Sequence, residues 1–328
     1  MKPFAYARPK NEAETLSLLS PTARPKGGGV DLLDLAKGGV TSPSTLVDLG
    51  GLDRMYHGVE ASGSEVLVGG GVTLDFLSVE DAWDMCPMLA DAALAAATPQ
   101  IRNRATLAGN LLQRPRCPYF RDPFFDCLKR GGTTCPAMEG DHSEGAVFGN
   151  RKCCAVHPSN LAVALVAAGA VVHLTGGPDA KGVGRQREFP LLDLFVAPEE
   201  DPLREARIQV GELLMSVRVP RFRASAYVEV DQKQSFDWAS ASAAVTLELE
   251  GDKVKSARVA LGHVAPVPML SEEAAKALVG KVPDEKAAEA AAEAAVKGAT
   301  PLRDNAHKVQ HLRVCVKRAV LRAAERGR

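Results

Sequence analysis

The sequence predicts an α+β protein, and three observations predict it. Short β-like runs bounded by turn residues recur from residue 44 to residue 231, a hairpin pattern follows, and three helical segments close the chain. Strands grouped ahead of helices give α+β, with one large domain to about residue 220 and a smaller sheet-and-helices domain after it.

Taken in order, "STLVDLG" and "EVLVGGGVTL" read as strands that end in glycine turns. "MLADAALAAAT" (88–98) reads as a helix, and residues 99–159 form an irregular segment with no hydrophobic period. "NLAVALVAAGA" is a second helix, "VVHLTG" a strand, and "GELLMSVRVP" (211–220) and "SAYVEVD" (225–231) two more strands. "ASAAVTLELEGDKVKSARVALGHV" sets alternating runs on either side of Gly251-Asp252, a tight-turn pair. Helices are expected near 271–279, 284–298 and 302–326, the second alanine-rich with a glycine stop. Basic residues in the last helix suit a membrane surface, but Leu312, Val314, Val316, Ala319 and Val320 suit packing on a sheet better.

Composition narrows the function classes. The chain has 328 residues, 46% hydrophobic and 24% charged, which excludes wholesale disorder and allows two or three domains. Forty basic and forty acidic residues cancel, so no nucleic-acid footprint is present. No apolar run reaches the length of a bilayer span, and "MKPFAYARPKNEAETLSLL" lacks the apolar core of a signal peptide. A cytoplasmic location is expected from the sequence itself, and a periplasmic one only if a leader-bearing partner exports the chain.

Cysteine is distributed unevenly. Cys86 and Cys315 stand in apolar helical contexts and read as buried small hydrophobes. The other five of the seven fall in "CPYFRDPFFDCLKRGGTTCPAMEGDHSEGAVFGNRKCC" (117–154), spaced Cys117-x9-Cys127-x7-Cys135-x17-Cys153, with Cys154 adjacent. Without a secretory leader such a cluster favours a metal centre over disulfides, which would also leave one cysteine unpaired. Structural zinc usually draws its ligands in C-x2-C pairs, and none is present. His142 and His157 read as ordinary polar or core histidines.

Three glycine-bearing segments precede residue 115: "RPKGGGVDLLDL", "VGGGVTL" and "TPQIRNRATLAGNLLQ". None is a G-x-G-x-x-G or a G-x-x-x-x-G-K-[ST] motif, but together they suggest a pyrophosphate held by backbone N–H groups.

"TPQIRNRATLAGNLLQ" with "AVHPSNLAVALVAAGAVV" resembles the FAD-binding subunit of molybdenum hydroxylases, the relatives of xanthine dehydrogenase, carbon monoxide dehydrogenase and aldehyde oxidoreductase. "MKPFAYARPKNEAETLSLL", "GGGVDLLDLAKGGV" and "ARVALGHVAPVPMLSEEAAKALVG" extend the resemblance over nearly the whole chain. It implies a two-lobed FAD-binding domain of the vanillyl-alcohol-oxidase (PCMH) type over residues 1–220, with lobes at about 1–58 and 59–220. A C-terminal domain of the CO dehydrogenase flavoprotein type would follow over 221–328.

The same resemblance implies site residues. FAD would lie on Lys26, Gly27, Gly28, Gly29, Val30, Asp31 and Leu32, and on the loop Thr106, Ala108, Gly109 and Asn110. Gln100, Arg102 and Asn103 would shape the loop wall. Asn160 would stand near the ribityl chain, where the family usually has aspartate, and Lys233 near the isoalloxazine ring. Val30 and Ala108 depart from threonine and glycine in the pattern but need supply only backbone N–H groups. Glu229 and Asp231 replace basic residues, and negative charge there would disfavour an anionic reduced flavin.

About forty residues separate the glycine motif from "HPSN", where ordinary members of the family have a few. This insertion (113–156) resembles the one that carries a [4Fe–4S] cluster in flavin subunits of bacterial aldehyde oxidoreductases and of 4-hydroxybenzoyl-CoA reductase. The resemblance implies one cluster on Cys117, Cys127, Cys135 and Cys153, with Cys154 the alternative fourth ligand. Arginines and lysines of the insertion would offset its negative charge. The expected protein is an electron-transfer subunit of a heterotrimer that takes electrons from a molybdenum-cofactor subunit through a [2Fe–2S] subunit and passes them to an external acceptor. It needs no catalytic acid, base or nucleophile of its own. The alternatives are a subunit of a 4-hydroxybenzoyl-CoA reductase-like enzyme and a flavin-free structural or assembly subunit.

Overall fold

The computed structural model describes residues 1–79, 84, 86–178, 184–233 and 236–328. Three sheets follow one another along the chain. Strands β1 (Ala5–Ala7), β2 (Ala23–Lys26) and β3 (Thr45–Asp48) form a parallel sheet in the order β1-β3-β2. Parallel neighbours require crossovers, and helices Glu12–Leu18 and Val30–Lys37 supply them. Asn11 opens the first of these, its side chain accepting from Glu14 N at 2.9 Å.

Strands β4 (Val59–Ser62), β5 (Glu65–Gly69), β6 (Val171–Pro178), β7 (Gly184–Pro190) and β8 (Glu212–Pro220) form an antiparallel sheet in the order β4-β5-β8-β6-β7. Helices Pro87–Ala95 and Asn160–Ala168 belong to the same core. Every residue of the second is buried, which is why its sequence shows no polar face. Ser159 caps its start and Gly169, at φ +70°, ends it.

Strands β9 (Ser225–Asp231), β10 (Ala239–Glu250), β11 (Lys253–Gly262) and β12 (Met269–Leu270) make the third sheet, antiparallel in the order β12-β11-β10-β9. The β10–β11 turn is at Gly251, whose φ of +63° is the conformation that favours glycine there. Helices Glu272–Leu278, Glu285–Ala295 and His307–Gly327 cover this sheet. Leu312, Cys315, Val316, Ala319 and Val320 of the last helix are fully buried in that core, so its apolar stripe faces protein. Arg322 and Arg326 of the same helix pair with buried Asp91 of helix Pro87–Ala95 at 2.9 and 2.6 Å, joining the third sheet's layer to the second. No helix among the described residues is long and apolar enough to cross a membrane.

Candidate functional site

A cavity of about 1200 Å³ opens between the first two sheets, and its lining contains most of the residues expected to hold FAD. Lys26 to Leu32 lie on one wall, Thr106, Ala108, Gly109 and Asn110 on another, and Asn160 beside them. Gln100, Arg102, Asn103 and Lys233 are outside the lining. Arg102 instead donates to the carbonyls of Leu94 and Ala97, and Lys233 is exposed, 3.9 Å from Asp237.

Backbone geometry suits the first wall to an anion. Gly29 has φ +80° and opens helix Val30–Lys37 without any side-chain cap. The N–H groups of Gly28, Gly29 and Val30 take no acceptor among the turn, loop and cap bonds of the described residues, so a helix start is left free to receive phosphate. A Cβ at Gly28 would lie 1.6 Å from the Arg104 carbonyl oxygen; glycine is what lets the two walls meet. The third glycine loop behaves differently. Gly69, Gly70 and Gly71 donate to Gly58 O, Met215 O and Tyr56 O, and a Cβ on any of them would strike backbone or Tyr56. That loop is a packing contact with no N–H left for a ligand, so two glycine loops line the cavity rather than three.

Both members of the acidic pair expected to trouble a flavin are shifted toward the neutral form, Glu229 far enough to favour it. Burial pushes the Glu229 carboxyl up to about 8, with the neighbouring charge of Asp231 adding to it. Its Oε2 accepts from Tyr227 OH at 2.6 Å and from Asn160 Nδ2 at 2.9 Å. Asp231 is also raised, chiefly by burial. Asn160 therefore both lines the cavity and ties its wall to β9.

The cysteine-bearing insertion begins and ends at one point, where Ser159 Oγ donates to Asn110 Oδ1 at 2.6 Å. Its outgoing limb is held by charge. Asp31 accepts from Arg114 N at 2.9 Å and from Arg121 Nη2 at 2.6 Å, and lies 3.1 Å from Arg116 Nη1. Glu205 takes a two-point contact from Arg114 at 3.0 and 3.1 Å and a third from buried Lys129 at 3.1 Å. Arg116 also stacks 4.5 Å from the Trp238 ring, and Arg114, Arg116 and Trp238 all line the cavity.

The returning limb is held mainly by neutral bonds to the third sheet's layer, with the Lys308 ammonium donating to Glu144 O as a charged exception. Val147 N and Phe148 N donate to Val264 O, His157 N to Ala265 O, and Thr300 N to Val147 O. Asn305, fully buried, donates to Gly145 O and Ala146 O at 3.1 and 3.2 Å. His142 spends both ring nitrogens on backbone: Nδ1 faces Ala137 O at 2.9 Å, and Nε2 accepts from Asp304 N at 3.2 Å. His157 is buried and pushed down to about 3 by desolvation.

Between the limbs the five sulfurs converge. Cys135 accepts from the thiols of Cys153 and Cys154, which hold it in the thiolate direction, and Cys117 is within electrostatic reach of Cys127 and Cys135. Cys117 and Cys127 also pack with Leu35 and Phe120 against the first lobe's helix. Among the described residues no group of three or more His, Cys, Asp or Glu side chains sits at the spacing of a single metal ion. Cys86 and Cys315 are buried and remote from this group in the fold, the latter donating to Ala241 O.

Sequence reasoning did not find Glu205, Trp238 or Asn305. The arginines at 114, 116 and 121, expected to offset a cluster's charge, pair instead with the carboxylates of Glu205, Asp31 and Asp34.

Comparison with known proteins agrees with this geometry. Residues 2–222 match the FAD-binding domain of molybdopterin dehydrogenases, and residues 225–325 the C-terminal domain of the CO dehydrogenase flavoprotein. The aldehyde oxidoreductase FAD-binding subunit PaoB of Escherichia coli (strain K12) is 37% identical over 281 residues, covering 84% of this chain and 85% of that one. The carbon monoxide dehydrogenase medium chain of Afipia carboxidovorans is 30% identical over 99% of this chain and 98% of its own. A crystal structure of Cu,Mo-CO dehydrogenase in its cyanide-inactivated form superposes with a TM-score of 0.74 at 28% identity, covering 99% of this chain and 100% of that one. The chain belongs to the FAD-binding medium subunits of the molybdenum hydroxylase family, the group that includes those of CO dehydrogenase and aldehyde oxidoreductase.

Proposed function

We propose that this chain is the electron-transfer subunit of a heterotrimeric aldehyde oxidoreductase and carries one FAD and one [4Fe–4S] cluster. The observation that carries the reading is the convergence of five cysteine sulfurs in an insertion whose arginines also line the FAD cavity. Electrons from a molybdenum-cofactor partner would arrive through a [2Fe–2S] partner and leave to an external acceptor. FAD supplies the exchange between two-electron and one-electron chemistry.

This chain's residues bind and position. The helix start at Gly28 to Val30 receives the pyrophosphate, Arg114 and Arg116 add positive charge at the same wall, and Asn160 meets the ribityl chain. Cys117, Cys127, Cys135 and Cys153 hold the cluster, with Cys154 the alternative to Cys153. The donor set fits by its chemistry, since thiolates are the cluster's usual ligands. Buried Lys129 and Lys308 lie within electrostatic reach of Cys153 and Cys154.

Anaerobic purification of the complex tests both groups. About four iron and about four sulfide per chain with one FAD are expected; stoichiometric zinc without sulfide would remove the cluster, and absence of acid-released FAD would remove the flavin. Comparing Cys153→Ser with Cys154→Ser settles the fourth ligand, since iron is expected to fall in the first only.

A further inference from the structure

The side-chain amide of Asn160 is held at one edge and open at the other. Asn160 is the first residue of helix Asn160–Ala168 and lines the FAD cavity. Its Nδ2 donates to Glu229 Oε2 at 2.9 Å. Its Oδ1 takes no donor among the described residues, yet it is not a sealed and unsatisfied atom; the space it meets is the cavity. An amide can offer a ligand either its donor edge or its acceptor edge, and here Glu229 decides which. Oε2 of Glu229 accepts from the Tyr227 phenol at 2.6 Å as well as from Asn160, so it serves as an acceptor whether the carboxyl is neutral or ionised. Glu229 is itself held firmly. Tyr227 stands two residues earlier on β9, on the same face, with its ring buried. The Tyr227 N–H donates to Asp91 Oδ2 at 3.2 Å, and Arg326 pairs with that carboxylate at 2.6 Å. Neither Glu229 nor Tyr227 lines the cavity.

We propose that Glu229 is a positioning residue of the flavin site: by taking the Asn160 N–H it turns the amide so that Oδ1, an acceptor, meets the hydroxyl groups of the FAD ribityl chain. This rests on the flavin reading above, in which Asn160 meets that chain. Glu229 acts through Asn160 and touches no part of the flavin. A hydroxyl hydrogen rotates to suit its acceptor, so a ribityl hydroxyl can donate to Oδ1 without any movement of the wall. An acceptor oriented before the ligand arrives loses no rotamer freedom on binding, and that saving appears as affinity.

The test is FAD binding by the assembled complex after its flavin has been removed. Equilibrium dialysis is run against FAD and against an analogue whose ribityl chain carries no hydroxyl groups. Glu229→Leu should weaken FAD binding about tenfold, the worth of one well-placed hydrogen bond, and leave the analogue unchanged. Glu229→Gln should stay within about twofold of wild type, because its carbonyl oxygen accepts from the same two donors. In an Asn160→Leu background, Glu229→Leu should add no further loss. Should Glu229→Leu fail to fold with the Tyr227 phenol unpaired, Glu229→Leu combined with Tyr227→Phe carries the same measurement. Equal weakening of FAD and the analogue, or a loss in Glu229→Gln as large as that in Glu229→Leu, overturns the positioning role. A loss in Asn160→Leu with none in Glu229→Leu also overturns it and leaves the ribityl contact of Asn160 standing. Absence of FAD from the wild-type complex overturns the flavin reading itself.

Discussion

The two limbs of the cysteine insertion solve the same problem by different means. The outgoing limb, residues 113–130, is pinned by Asp31 and Glu205 to arginines and a lysine. The returning limb, residues 142–157, is pinned by backbone and amide hydrogen bonds to Val264, Ala265, Thr300 and Asn305. Partly exposed ion pairs hold a chain in register at modest gain and remain open to salt, whereas buried neutral bonds seal it and are costly to break. The difference matches their positions: one limb borders the FAD cavity, where positive charge is useful, and the other meets the protein core, where the Lys308 ammonium on Glu144 O is the charged exception.

Acid should separate the limbs most. His157 and His263 are buried and pushed down to about 3 and about 4 by desolvation. A base whose affinity is depressed on folding contributes stability above its unfolded value near 6.5, and that contribution is lost as pH falls toward the folded value. By pH 5 the loss is roughly 2 kcal/mol for each, and the returning limb should gain amide exchange before the outgoing one does. Equal exchange in both limbs between pH 7 and 5 would break the distinction.

Asn305→Ala comes next. It leaves the Gly145 carbonyl and the Leu302 N–H without their partner, while Ala146 O keeps Asn150 Nδ2, at a cost of about 2–3 kcal/mol in denaturant unfolding. A change under about 1 kcal/mol would show that the returning limb has other anchors of equal weight. Asp31→Asn should cost about 1–2 kcal/mol and expose the outgoing limb to protease, because the amide keeps the Arg114 N–H but loses the pull on Arg116 and Arg121. The smallest effect is that of salt: between about 0.05 and 0.5 M, exchange at residues 114–121 should quicken by a few tenths of a kcal/mol and that at 145–150 should not change.

Much of the fold was legible because its strands and helices are long enough to show a period, as in β8 and β10 or the helix at Glu285. Of the first sheet only β3 was, since β1 has three residues and β2 contains Pro25, too little for any alternation to register. In the site, the glycines at 27–29 and the cysteine spacing were readable as chemistry. That Gly69 to Gly71 spend their N–H groups on Gly58, Tyr56 and Met215 was not, because the partners lie far away in sequence. The same holds for Lys308, whose helical context gives no sign that its ammonium lies inside the protein and donates to Glu144 O. Likewise, Glu229 looks like an anion in sequence, and only its burial reveals that it favours the neutral form.

The bond between Ser159 and Asn110 makes the insertion, in polymer terms, a ring tied at its root. The entropy of closing a ring grows only with the logarithm of its length, so lengthening a connection of a few residues to the 49 positions spanned here costs about 2 kcal/mol. The anchors of either limb offset that sum. A large prosthetic addition can therefore be made to this fold at little thermodynamic expense, and swapping the ring for a short linker at the same root should leave the three sheets folded.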